Sequence, residues 1–149
     1  MKFNEKSEEY EEEIANLLSD NNYKLVKLTI IKQKAITYKI TIDQSGGVSH
    51  NDCKNVTRII QKFLEDKGLP ISCEFEVSSP GIYRELKSLR ELKAFEGRRV
   101  LVRYLNQTKL LQEIGLLLDA SPQKILLKTE TQNEITLPSE IIKKIQLSD

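Results

Sequence analysis

The chain has no tryptophan, one histidine, one methionine and only two cysteines among its 149 residues. With His50 alone, a histidine-based general base or a multi-histidine metal site has a single candidate. Asp52 and Cys53 lie close to it, but Cys53 falls on the apolar face of the helix that follows and so points away from the loop. His50 therefore reads as a solvated residue at a helix entry, and neither a catalytic group nor a metal site nor a cofactor is expected. Cys53 stands near the start of that helix and Cys73 near the start of the strand entered from its far end. A rise of about 1.5 Å per residue carries the two well beyond the ~7 Å limit for a disulfide, so both are expected as core thiols. No apolar run approaches the ~18 residues of a membrane helix, and residues 1–5 lead into acidic residues rather than a signal core. No membrane contact and a cytoplasmic location are expected.

What the chain does have is 39% hydrophobic and 30% charged residues, enough to bury a core and to coat it. The net charge of +1 conceals an asymmetry. Residues 1–80 hold 11 Lys and Arg against 13 Asp and Glu, and residues 81–149 hold 12 against 9. Residues 1–20 sum to −5 and residues 84–103 to +4, so an acidic start precedes a basic middle.

Apolar spacing orders the elements. Phe3, Tyr10, Ile14, Leu17 and Leu18 repeat at helical intervals, with Glu8, Glu9, Glu11, Glu12 and Glu13 in the early turns, where negative charge suits the helix dipole. Val26, Leu28 and Ile30, then Ile36, Tyr38, Ile40 and Ile42, alternate about Lys32-Gln33-Lys34 as a hairpin. Ser49 and Asp52 form a capping-box variant for a second helix with Cys53, Val56, Ile60, Phe63 and Leu64 on one face and Gly68 at its end. Ile71, Cys73, Phe75 and Val77 alternate as a strand reached by a right-handed crossover.

Ser79-Pro80-Gly81 cannot continue that strand, and it marks an interdomain junction. Beyond it Ser88 and Glu91 form a capping box for a short helix with Leu89, Leu92 and Phe95 inward and Gly97 as its stop. Short strand patterns then run to the end: Val100–Tyr104, Leu110–Leu118 with a bend at Gly115, Ile125–Thr129, Glu134–Leu137 and Lys143–Leu147. The expectation is an α+β chain: an N-terminal α-β-β-α-β domain over 1–82, then a small SH3-like or Sm-like β-barrel over 83–149.

Two features could carry binding. Gly46-Gly47 before a helix lacks the Walker and dinucleotide spacings and reads as a turn. The basic run Arg84, Lys87, Arg90, Lys93, Arg98, Arg99 and Arg103 suits phosphate recognition but equally a solvated face with Glu91 and Glu96 as partners. The pattern is neither KH nor RRM, and few aromatics stand near the basic run for base stacking.

Glu76-Val77-Ser78-Ser79-Pro80-Gly81-Ile82-Tyr83-Arg84-Glu85-Leu86 resembles the signature of the RimP family of bacterial ribosome maturation factors. Gly46-Gly47-Val48-Ser49 with Asp52-Cys53, and Phe95-Glu96-Gly97-Arg98-Arg99-Val100, follow in the family's order. The resemblance implies an Sm-like C-terminal barrel, no catalysis, and a role in small-subunit assembly through ribosomal protein and rRNA. The family commonly has Leu-Asp-Arg-Pro-Leu where this chain has Ile82-Tyr83-Arg84-Glu85-Leu86, so the acidic residue is not carried over while Arg84 is. Arg84, Arg98, Arg99 and Arg103 are the expected subunit-binding residues, Ser79, Pro80 and Gly81 the junction, and a monomer the expected state. Gly81 is expected to matter through its backbone if it needs a positive φ. A ring-forming Sm-like RNA binder and a small nuclease or hydrolase are the rivals; the first requires a stable oligomer, the second a converging polar pocket.

Overall fold

In the computed structural model, which describes every residue except Glu5, Ile71, Ser72, Ile82, Tyr83 and Asp149, Ser7–Pro80 form one unit. Met1–Lys6 and Gly81–Asp149 together form the other. Ile71 of the expected third strand and Ile82 and Tyr83 of the junction thus lie outside the described residues.

The first unit has the expected α-β-β-α-β order. Helix α1 (Glu11–Asp20) opens on Glu11, Glu12 and Glu13 and buries Ile14 and Leu18. It ends because Asn22 takes φ 66°, a left-handed conformation that asparagine tolerates, while the Tyr23 N–H reaches back to the Leu18 carbonyl at 2.9 Å. Phe3 is not on this helix. It is buried in the other unit, and Tyr10 at φ 61° breaks the helical run that the apolar spacing suggested.

Strands β1 (Lys24–Lys32) and β2 (Ile36–Asp43) pair antiparallel with a bulge between Leu25 and Lys27. Strand β3 (Glu74–Ser78) pairs parallel to β2, which makes β2 central. Register sets Tyr38 beside Phe75, and their rings stack at 5.6 Å on the core side. Lys39 and Glu76 form an ion pair on the opposite side.

Helix α2 (His50–Asp66) supplies the other wall: Val56, Ile60 and Leu64, four residues apart, are fully buried. Each contributes about 1.5–3 kcal/mol of apolar burial. Gly68 at φ 71° closes the helix, its N–H bonded to the Glu65 carbonyl and that of Leu69 to Leu64, both at 2.9 Å. Both cysteines are free and half-buried. Cys73 packs against this core and burial pushes its thiol up, whereas Cys53 sits in the first turn of α2 outside the core cluster.

In the second unit a short helix α3 (Leu89–Ala94) precedes β4 (Arg99–Asn106), β5 (Lys109–Ala120), β6 (Lys124–Thr129) and β7 (Glu134–Pro138). A 3-10 turn (Ser139–Ile141) then leads into β8 (Ile142–Leu147). All pairings are antiparallel, in the order β7-β6-β5-β4-β8, around Val100, Val102, Leu117, Ile125, Leu127 and Ile145. The expected closed barrel is not formed by these ladders: β7 and β8 stand at opposite ends of the order. Gly115 is required by close approach, since a Cβ there would lie 2.5 Å from the Lys128 carbonyl oxygen. The bulge of β5 falls between Leu117 and Asp119 instead of at Gly115.

Residues from both ends of the sequence complete this unit. Glu85 bridges to Gln146, and the Leu86 N–H donates to the Ile145 carbonyl at 2.8 Å. Asn4 bridges to Ser88 through bonds to Lys87 and Leu89, and the Met1 nitrogen donates to the Ser139 carbonyl at 2.6 Å.

Candidate nucleic-acid interface

The basic run separates into side chains that hold the fold and side chains that face water. Arg84 belongs to the first group. Its Nε donates to Glu91 Oε2 at 2.7 Å, with the Arg84 side chain 20% and the Glu91 side chain 3% exposed. Glu91 is also the third residue of α3 and completes the expected capping box: its Oε1 accepts from the Ser88 N–H at 3.3 Å, and its own N–H donates to Ser88 Oγ at 3.1 Å. One buried carboxylate thus serves the helix start and the arginine together. Its charge is compensated on both sides, as burial requires.

Arg98 follows α3 with its guanidinium over the Phe95 ring at 5.7 Å. Arg99 opens β4 and is ion-paired with Glu130. Arg103, four residues further along and so on the same face, is exposed and donates to Gln112 Oε1 at 3.3 Å. Lys93 pairs with Glu96 at 3.9 Å. The run therefore does not converge: of the four arginines expected at the interface, β4 brings Arg99 and Arg103 onto one face, Arg98 stands just before it, and Arg84 is committed to Glu91.

Register adds a residue that spacing alone could not reveal. Arg103 lies directly opposite Lys144 of β8, and like charges facing each other across strands destabilise a sheet. Among the described residues no ion pair takes up Arg103 or Lys144. The same face of β4 and β5 carries Leu101, opposite Ile114, with the exposed Leu110 and Leu116 at its ends. Apolar surface rimmed by unpaired cations is a docking composition, where stability alone would favour alternating charges.

At the junction Ser79 and Gly81 are exposed, and Pro80 is half-buried. Gly81 has no positive φ, and a Cβ there would meet nothing within 4 Å, so the backbone role expected of it is not required. The Gly81 carbonyl accepts from the Arg84 N–H at 3.1 Å. Among the described glycines the positive φ values belong to Gly46 and Gly47, which turn the chain into α2, and to Gly68 and Gly97.

His50 begins α2 and is exposed. The Ser49–Asp52 capping box forms as expected, with Ser49 N donating to Asp52 Oδ2 at 2.7 Å. Tyr23 adds a hydroxyl to Asp52 Oδ1 at 2.9 Å. The Ser49 backbone N–H, then the Ser49 hydroxyl and then Tyr23 hold the Asp52 carboxyl below its ordinary value. Among the described residues no three His, Cys, Asp or Glu side chains are grouped to hold a metal ion, and no helix is long and apolar enough to cross a membrane.

Residues 13–83 match the family model of the RimP N-terminal domain, from within α1 to the junction and the first part of the signature. Residues 13–83 of this chain are thus a RimP N-terminal domain, the domain of a family of ribosome maturation factors.

Proposed function

We propose that this chain assists assembly of the small ribosomal subunit by binding ribosomal protein and rRNA, as a cytoplasmic monomer without enzymatic activity. The observation that carries the reading is the outer face of β4, where Arg103 and Lys144 stand opposite each other beside exposed leucines. Arg98, Arg99 and Arg103 are the docking cations in this reading. Arg84 acts indirectly, holding the start of α3 through Glu91. An SH3-like curl of the second unit belongs to the proposal too, supported by the return of β8 to β4 and by the bulge in the long β5. The two domains divide near Ser79-Pro80-Gly81. Two modest contacts on one chain reinforce each other through effective concentration, so neither needs high affinity alone.

Sedimentation of the full chain with mature small subunits, immature small subunits and large subunits tests the reading. Preference for the small subunit is expected, strongest for the immature form. Equal co-sedimentation with small and large subunits would reduce the behaviour to that of a general polycation. Replacing Arg98 and Arg103 by glutamine should weaken docking and flatten its salt dependence, because fewer counterions are released.

A further inference from the structure

Helix α2 has a second polar face that the junction reading leaves unused. Lys54, Arg58 and Lys62 follow one another at intervals of four residues and are all exposed. At 100° per residue they fall within an 80° sector opposite the buried Val56, Ile60 and Leu64. They span about 12 Å along the helix axis at ~1.5 Å per residue. From His50 to Leu64 the helix carries one acid, Asp52, and that carboxylate is engaged by Ser49 and Tyr23. Lys62 lies 4.0 Å from Asp66, the limit of an ion pair; Arg58 and Lys54 have no ion pair among the described residues.

Beside the middle of this stripe the surface is recessed. Asn21, Tyr23, Asn55, Arg58 and Ile59 line an open groove of about 340 Å3 between the end of α1 and the flank of α2. Asn55 Nδ2 donates to the Tyr23 hydroxyl at 3.3 Å, and Asn21 Nδ2 donates to the Leu17 carbonyl at 2.9 Å. Both side chains use the amide nitrogen in these bonds, and both share the lining of the groove with Arg58. The groove mixes acceptors and donors, and its lining includes an apolar side chain, Ile59.

We propose that this face of α2 is an RNA-binding site: Lys54, Arg58 and Lys62 track the phosphates of one strand, and the groove at Asn55 and Arg58 takes a ribose or base edge. This rests on the rRNA-binding reading above and assigns part of that contact to the first unit. A stripe of cations in a single line fits the regular charge of a nucleic-acid backbone. Acceptors and donors set beside a guanidinium are what distinguish 2′-hydroxyl and base-edge contacts from attraction to any anion. An acidic protein segment would use the cations and leave the amides of the groove without work.

The test titrates a fluorescein-labelled RNA stem-loop with the full chain at several salt concentrations. The variant K54Q/R58Q/K62Q is compared with a control, K6Q/K27Q/K34Q, that removes the same charge from other exposed lysines. The α2 variant should lose about tenfold in affinity near 0.1 M salt, with its slope shallower by roughly two units, at about 0.7 to 0.9 per lost phosphate contact. The control should change affinity less than about threefold, and both should melt as the parent does, since surface substitutions stay within about 0.5 kcal/mol. Asn55→Ala should weaken RNA binding with the slope kept. The inference is overturned if the α2 variant binds as the parent does, if the control loses as much, or if polyglutamate competes as well as RNA. If RNA binding survives the α2 substitutions while the parent still prefers small subunits, the inference falls and the small-subunit reading stands. If the parent sediments equally with both subunits, that reading falls on its own evidence.

Discussion

The two units begin a helix with the same device in opposite surroundings. At α2 the Ser49–Asp52 box is open to water and shared with the Tyr23 hydroxyl. At α3 the Ser88–Glu91 box is buried and shared with Arg84. A short acid suffices where solvent completes its hydrogen bonding. Where solvent is excluded, the longer glutamate reaches both the helix start and a guanidinium, and an arginine becomes structural. The units differ in continuity as well: Ser7–Pro80 is one stretch, while the other is assembled from two.

The largest expected effect tests that continuity. Phe3 is 2% exposed and belongs to the second unit, so Phe3→Ala should cost about 3–5 kcal/mol there. Hydrogen exchange should show faster opening in β4 to β8, with protection in α1 to β3 kept. Equal loss in both units would show one cooperative structure. Next comes Glu91→Ala, which removes the α3 box and leaves Arg84 half-buried without its partner. About 3 kcal/mol is expected, and Arg84→Ala should then add little to it, as a double-mutant cycle on thermal unfolding would reveal. Additive losses would mean that Arg84 and Glu91 act separately.

The smallest effect lies at the exposed box and is read against pH. Because the Asp52 carboxyl titrates below its ordinary 3.8 in the folded chain, its stabilisation is complete above that value and is lost as pH falls through the folded one. The melting-temperature gap between the parent and Asp52→Asn should therefore be constant from neutral pH down to about 5 and close below about 4. A gap that persists at lower pH would assign the effect to shape rather than charge.

Most of the element order was legible in the residues, because it rests on local signals. Ser49 and Ser88 with their acids three residues on, Gly68 and Gly97 at helix ends, and alternation in β2 and β4 each act within a few residues. Phe3 was misplaced because periodicity cannot tell a helix residue from one that happens to fall at the same interval. The interface was less legible. Charge marked Arg84, Arg98, Arg99 and Arg103 alike, and only tertiary placement separates an arginine committed to Glu91 from one facing Lys144. The cations of α2 carried a helical signal throughout, but their spacing becomes informative only once the opposite face is seen buried and a groove is found beside them.

The contact of Asn4 with Lys87 and Leu89 has a consequence for the order of folding during synthesis. The residues ahead of Ser7 are among the last to find their places, since their partners follow about eighty residues later in the chain and Ser139 later still. Closing a flexible loop of that length costs about 4 kcal/mol in chain entropy by the logarithmic estimate. If Ser7–Pro80 has already folded, its ends are fixed in space and much of that cost is met beforehand. The nascent chain then completes from the middle outward: the inserted unit sets first, and the second waits for β8 before its opening residues are held.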